Sequence, residues 1–70
     1  MGSAASYVYT NLGLAELERW TKLNKAYQAC RQRLADGATF EQEVDEVTSL
    51  SRLLNEIETK AKVPKEMMTA

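Results

Sequence analysis

The sequence contains no histidine and a single cysteine, Cys30, and these two shortages exclude several kinds of chemistry. Without an imidazole there is no Ser–His or Cys–His nucleophile pair, and a conventional zinc site loses its usual ligands. One cysteine cannot form an internal disulfide, and it suits a reducing compartment. We therefore predict a cytoplasmic protein that is not an enzyme and has no catalytic, cofactor-binding or metal site.

The sequence also lacks a surplus of basic residues and a long apolar run. Nine Lys and Arg face ten Asp and Glu, for a net charge of −1, so little positive charge is free to neutralise a phosphate backbone. No apolar run approaches the roughly 20 residues that cross a bilayer. A 70-residue chain also builds only a small core, and such chains often need a partner. We expect one soluble domain whose partner is a protein.

Glycine and proline are few, three and one, and their positions mark the ends of two helices. Gly37 is well placed as the left-handed residue that ends the first helix, and Pro64 pushes the residue before it out of helical geometry. The pattern predicts an all-α, antiparallel hairpin of helices over about 13–35 and 39–62. Residues 1–12 are then a flexible or partner-ordered segment, and 64–70 a frayed tail.

Apolar residues at heptad spacing line one side of each predicted helix. Three- and four-residue steps place side chains on a single helical stripe, and two such stripes can bury each other. Cys30 is on this stripe and is interpreted as a small core residue. The predicted seam consists of Trp20, Leu23, Tyr27, Cys30 and Leu34 on the first helix and Val47, Leu50, Leu54 and Ile57 on the second.

Charged and capping residues support both helix ends. Thr10 or Asn11 can cap the first helix, and Thr39 with Gln42 matches a capping box at the start of the second. The acidic cluster that follows suits the positive end of the helix dipole and lacks the ligand order of a calcium loop. An alternative makes Phe40–Val47 two short strands, but Asp45-Glu46 is a poor hairpin turn, so helix is favoured.

A connection of about four residues makes the two helices antiparallel. This arrangement places the arginines that end the first helix beside the acidic start of the second, and we expect the pair Arg33–Glu46 across the seam. At the other end it brings Glu16 and Glu18 towards Lys60 and Lys62. Such surface pairs select an orientation more than they stabilise it.

Two helices leave apolar residues uncovered, and those residues are the predicted partner-binding surface. The predicted partner is another helical protein or a second copy of the chain, because exposed apolar patches mark interfaces. Tyr7-Val8-Tyr9 is interpreted as a short extended segment that packs back or adds to a partner. In the alternative, the N-terminal segment folds over the leftover residues. The predicted partner-binding residues are Leu14, Leu17, Leu53, Tyr7 and Tyr9.

The segment LNKAYQACRQRLADG, residues 23–37, resembles the first helix and turn of YscE-type co-chaperones of bacterial type III secretion systems. The shared residues are Ala26, Cys30-Arg31, Leu34-Ala35 and Gly37. The resemblance spans about a quarter of the chain. It implies a helical hairpin that joins a second chaperone to keep the needle subunit soluble before secretion. The apolar face around Leu14, Leu17 and Leu53 would then serve that partner.

Two further classes stay open from the sequence. One is a homodimeric four-helix bundle similar to the RNA-binding regulator Rop, which would need a basic stripe. The residues that could provide it are Arg19, Lys22, Lys25, Arg31 and Arg33. The other is a small adaptor, since Met1–Ser6 fits the N-myristoylation pattern with Gly2 as acceptor. Membrane binding is expected only if Gly2 is acylated.

Overall fold

The computed structural model describes residues 4–37 and 41–69, and that part of the chain is all-helical, as predicted. It contains three α-helices rather than two: α1 (Ala4–Leu12), α2 (Leu14–Ala35) and α3 (Glu41–Lys60), followed by a 3-10 turn over Lys65–Met67. The strand alternative is wrong for 41–47, which belong to α3. Phe40 and the predicted cap Thr39 lie outside the described residues, as does Gly2.

Helix α1 corrects the expectation of an extended or flexible N-terminal segment. Ala4, Val8 and Leu12 recur every four residues, which places them on one side of a helix. Ala4 and Val8 are buried, Val8 completely, and Leu12 packs against the same core. Tyr7-Val8-Tyr9 was interpreted as a short extended segment, but these residues belong to α1, which contacts both of the other helices.

Gly13 separates α1 from α2 and lets the chain turn back. Its φ of 92° lies in the left-handed region, which glycine enters without a Cβ clash. Its N–H donates to the Tyr9 carbonyl at 3.1 Å, and its own carbonyl accepts from the Leu17 N–H at 3.1 Å. The expected side-chain cap of α2 is not formed. Asn11 instead donates from Nδ2 to the Ala61 carbonyl at 2.6 Å, which ties α1 to the end of α3.

Helices α2 and α3 form the predicted antiparallel hairpin. Gly37 follows α2 with a φ of 104°, as expected for the residue that ends a helix. Trp20 near the start of α2 contacts Glu58 near the end of α3, and Arg33 near the end of α2 contacts Glu43 near the start of α3. We call the end of the molecule where α2 ends and α3 begins the loop end, and the opposite end the open end.

Helix α3 ends in a Schellman motif at Lys60, four residues before Pro64. The Val63 N–H donates to the Glu58 carbonyl at 3.0 Å, and the Lys62 N–H donates to the Thr59 carbonyl at 3.1 Å. Lys62 occupies the left-handed position with a φ of 60°, where glycine is the usual residue. Val63 is then buried in the core.

The tail, expected to fray, packs against the hairpin over the described residues 64–69. Met67 and Met68 lie on the core cluster. The Thr69 N–H donates to Glu58 Oε1 at 2.8 Å. The tail packs because methionine side chains are flexible and apolar and can fill irregular gaps in a core, here at the open end.

The core lies towards the open end, because α1 and the tail both pack there. Helix α1 has 9 residues and α2 has 22, so they extend about 14 and 33 Å from their shared corner at Gly13. Helix α1 therefore cannot reach the loop end. The buried core cluster consists of Ala4, Val8, Trp20, Tyr27, Leu54, Ile57, Ala61 and Val63. Within 4–37 and 41–69, no helix has the length and apolar character needed to cross a membrane.

Candidate functional site

A buried carboxylate joins α2, α3 and the tail at the open end. Glu58 is 0% exposed. Its Oε2 accepts a hydrogen bond of 2.6 Å from Trp20 Nε1, and its Oε1 accepts one of 2.8 Å from the Thr69 N–H. Both oxygens are thus satisfied by N–H donors, which is what a buried carboxylate requires. This arrangement stabilises the fold and leaves neither oxygen free for a substrate.

Sequence reasoning missed Glu58, although one signal for it was present. Trp20 was placed correctly on the seam and is buried. A buried indole N–H usually finds an acceptor, so a buried Trp20 predicts an acceptor on the facing helix. Glu58 follows the seam residue Ile57 directly, but its charge made a solvent-exposed position the default assumption.

A second polar cluster lies at the loop end and consists of Cys30, Arg33 and Glu43. The buried Cys30 Sγ donates to Glu43 Oε2 at 3.0 Å and lies 3.3 Å from the Glu43 carbonyl oxygen. Arg33 Nε donates to the other carboxylate oxygen, Oε1, at 2.9 Å. One carboxylate on α3 therefore binds two side chains of α2 and holds the helix ends together.

The hydrogen bonds of this cluster shift the pKa of each group. The bond to Glu43, together with burial, raises the pKa of the Cys30 thiol. The bonds from Arg33 and then from Cys30 lower the pKa of Glu43, and the bond to Glu43 raises the pKa of Arg33. The thiol is therefore held protonated and the carboxylate ionised at neutral pH. A nucleophilic cysteine needs the opposite shift.

Cys30 and Glu43, together with Glu46, are close enough to hold a metal ion, but the Cys30 thiol is in the wrong protonation state for a ligand. Ligand atoms of Cys30, Glu43 and Glu46 all lie within 4.8 Å of one another. A cysteine ligand must bind as the thiolate, whereas the pKa of Cys30 is raised. Glu43 also has both oxygens engaged, with Arg33 and Cys30. The chemistry of the donor set favours a structural cluster over a bound cation.

Two expected ion pairs differ from the structure. Arg33 pairs with Glu43 rather than with Glu46, three residues or about one turn further along α3. At the open end, Glu16 and Glu18 were expected near Lys60 and Lys62. Among the described residues no ion pair joins these two groups. That expectation treated the hairpin alone and omitted α1 and the tail, which pack there.

The predicted seam residues face the interior to different degrees. The nine residues were Trp20, Leu23, Tyr27, Cys30, Leu34, Val47, Leu50, Leu54 and Ile57. Five of them are buried, namely Trp20, Tyr27, Cys30, Leu54 and Ile57, and the other four are partly buried. Of the partly buried ones, Leu23, Val47 and Leu50 pack against the core cluster.

The structure separates the five predicted partner-binding residues into two groups. Tyr7 and Leu17 are partly buried and pack against the core cluster, and Leu53 is also partly buried. The N-terminal segment thus folds back over part of the leftover apolar surface, which was the alternative interpretation. Leu14 and Tyr9 stay outside, 63% and 54% exposed.

Leu14 and Tyr9 lie on either side of the corner at Gly13, and we call them the corner surface. Leu14 is the first residue of α2, and Tyr9 lies in the last turn of α1. Beside them, Ser6, Tyr7, Thr10 and Asn11 line an open hollow along α1. The combination of exposed apolar side chains with hydroxyl and amide groups is typical of the edge of a protein–protein interface.

The basic residues that an RNA-binding regulator would need all lie on α2. Arg19, Lys22, Lys25, Arg31 and Arg33 are exposed. Two of them already have neighbours in the chain. Arg33 pairs with Glu43, and the Arg31 guanidinium lies 5.7 Å from the centre of the Tyr27 ring, within cation–π range.

No protein-family model, curated protein or solved structure matches this chain.

Proposed function

We propose that this chain is a non-catalytic protein-interaction module that binds a partner protein through the corner surface. The observation that carries the proposal is the exposure of Leu14 and Tyr9, 63% and 54%, at an end of the molecule where the other large apolar side chains of the described residues are buried or partly buried. An exposed apolar side chain such as Leu14 gains free energy when a partner removes it from water, and tyrosine is one of the residues that contribute most to binding at protein interfaces.

The reactive groups of the chain support a structural rather than a catalytic role. Glu58 is bonded by Trp20 and by the Thr69 backbone. Cys30 is held protonated by its bond to Glu43. A catalytic carboxylate or thiol usually faces a cleft, and a catalytic thiol has a lowered pKa. Glu58 and Cys30 instead form hydrogen bonds that join helices.

The experiment compares capture by the intact chain with capture by two matched variants. The immobilised protein, Leu14→Glu and Val44→Glu are each exposed to lysate of the source cells, and bound proteins are quantified by mass spectrometry. Val44 is 48% exposed but lies on α3 near the loop end, so it controls for the loss of any exposed apolar group. Circular dichroism verifies that each variant stays helical.

We expect Leu14→Glu to lose a partner that the unchanged protein and Val44→Glu both retain. A charge placed in an apolar contact costs several kcal/mol of binding free energy, so the loss should be near complete. If Leu14→Glu captures the same proteins, or if nothing binds above empty resin, the proposal fails.

The resemblance to YscE-type co-chaperones supports a finer proposal about the partner. In this version the module is a small cytoplasmic co-chaperone, and the protein bound at the corner surface is a second helical chaperone. The capture experiment separates this version from a general interaction module, because mass spectrometry identifies the partner.

A further inference from the structure

The sulfur atoms of the described residues differ in how readily an oxidant can reach and attack them. These atoms belong to Cys30, Met67 and Met68. Cys30 is 0% exposed, and its hydrogen bond to Glu43, together with burial, raises the pKa of the thiol. Peroxides react with the thiolate rather than the thiol, so Cys30 is protected. A thioether needs no deprotonation, and both methionines are only partly buried.

Met68 and Thr69 attach the end of the tail to α3. Asn55 is exposed on α3, and its Nδ2 donates a hydrogen bond of 3.7 Å to the Met68 sulfur. The Met68 side chain also packs against the core cluster. The next residue, Thr69, donates its backbone N–H to Glu58 Oε1 at 2.8 Å. The sulfur of Met68 therefore lies at the surface end of the attachment, beside a bond to a fully buried carboxylate.

The bond from Thr69 depends on the position of Met68. The backbone hydrogen bonds of the 3-10 turn are internal to the tail, from the Met67 N–H to the Pro64 carbonyl and from the Met68 N–H to the Lys65 carbonyl. They shape the tail but do not fasten it to a helix. Neighbouring Cα atoms are about 3.8 Å apart, so a Met68 that leaves the core carries the Thr69 N–H away from its acceptor.

We propose that Met68 is a site of oxidation by peroxides, and that its sulfoxide releases the tail from the open end. A lone pair of the Met68 sulfur attacks one oxygen of hydrogen peroxide, so that an S–O bond forms while the O–O bond breaks. The leaving hydroxide takes the proton from the oxygen that stays on sulfur and departs as water. The thioether is thereby oxidised to the sulfoxide, and the peroxide is reduced to water.

Oxidation changes the side chain from apolar to polar at the point where it packs on the core. A sulfoxide loses its hydration if it stays in an apolar contact, so the docked position of the tail becomes unfavourable. Release uncovers Glu58, which is 0% exposed while the tail is docked. Methionine sulfoxide reductases reverse the modification, so the open end would alternate between a covered and an uncovered state. This inference does not depend on partner binding at the corner surface.

The test compares the full chain with two matched variants, Met68→Leu and Met67→Leu. Leucine keeps an apolar side chain of similar volume but has no sulfur to oxidise. Each protein is treated with hydrogen peroxide, and mass spectrometry of its peptides locates the added oxygen. Hydrogen exchange by NMR follows the Thr69 amide, and circular dichroism verifies that the helices remain. Trp20, the single tryptophan, donates to the same carboxylate as Thr69, so its fluorescence is a second measure of release.

We expect peroxide to speed exchange of the Thr69 amide at least about tenfold in the unchanged chain and in Met67→Leu, because both keep the Met68 sulfur. In Met68→Leu the rate should change by less than about twofold. Treatment with methionine sulfoxide reductases should restore slow exchange. The proposal is overturned if Met68 is not oxidised, if oxidation leaves Thr69 exchange unchanged, or if Met68→Leu responds as the unchanged chain does. Loss of the helices on oxidation would also overturn it, since the release would then not be local.

Discussion

The hydrogen bond between Trp20 and Glu58 is the most buried polar contact between α2 and α3. It measures 2.6 Å, and Glu58 is 0% exposed. Trp20→Phe removes the donor and leaves Glu58 Oε2 buried without it, so we expect a loss of unfolding free energy of at least about 1–3 kcal/mol. Urea denaturation measures the loss.

A double-mutant cycle isolates this bond from the packing of the indole ring. In a Glu58→Leu background the acceptor is absent, so Trp20→Phe should cost less than in the unchanged chain. We expect a coupling free energy of about 0.5–3 kcal/mol. Additive losses would mean that the bond contributes no stability.

Lys62 has a backbone conformation that favours glycine, the residue without a Cβ. Its φ of 60° lies in the left-handed region, which costs a residue with a Cβ roughly 1–2 kcal/mol. We therefore expect Lys62→Gly to raise the unfolding free energy by up to about 1 kcal/mol, after the greater entropy of unfolded glycine is subtracted. Thermal and urea denaturation measure the change.

The control for this prediction is the same substitution two residues earlier. Lys60 is the last residue of α3, where glycine lowers helix stability by up to about 1 kcal/mol. Opposite signs at the two positions would identify the left-handed turn as the cause. A loss of stability at both positions would contradict it.

At the scale of single residues, the sequence pattern located contacts to within about one helical turn. The left-handed role of Gly37 was predicted and is confirmed, because glycine there has a local steric reason. Arg33 was predicted to bind α3, but the partner is Glu43 and not Glu46. Heptad spacing places both carboxylates towards the same helix, and only packing decides between them.

Among the three α-helices, α1 was the one that the sequence pattern did not predict. A helix of 9 residues is too short to be stable alone in water, and its paired tyrosines favoured an extended interpretation. It forms because its apolar stripe packs on a hairpin that already offers an uncovered side. Tertiary contacts of this kind cannot be read from local propensity.

The contribution of α1 can be measured with two identical substitutions. Val8 on α1 is 0% exposed, while Val44 on α3 is 48% exposed. Val8→Ala removes two methyl groups from the core and leaves a cavity, so we expect a loss of about 2 kcal/mol in unfolding free energy. Val44→Ala should change it by less than about 0.5 kcal/mol.

Denaturation of both variants by urea is the measurement. Equal effects of Val8→Ala and Val44→Ala would show that α1 does not pack on the hairpin in solution. A change in the slope of the transition for Val8→Ala alone would show that α1 had detached and altered the surface exposed on unfolding.

At the scale of the whole molecule, the two ends of the hairpin differ in how many elements meet there. At the open end α1, α2, α3 and the tail share one core cluster. At the loop end, the elements of the described ranges 4–37 and 41–69 that meet are α2 and α3, held together by the Cys30–Glu43–Arg33 cluster. Local stability follows buried apolar contact, so the hairpin should open first at the loop end.

Native-state hydrogen exchange tests this difference by comparing the two ends of each helix. Backbone amides of α2 near Trp20 and of α3 near Ile57 should exchange at least about tenfold more slowly than those near Leu34 and Val47. Equal protection along α2 would mean that the hairpin opens only as a unit and that α1 and the tail add no local stability.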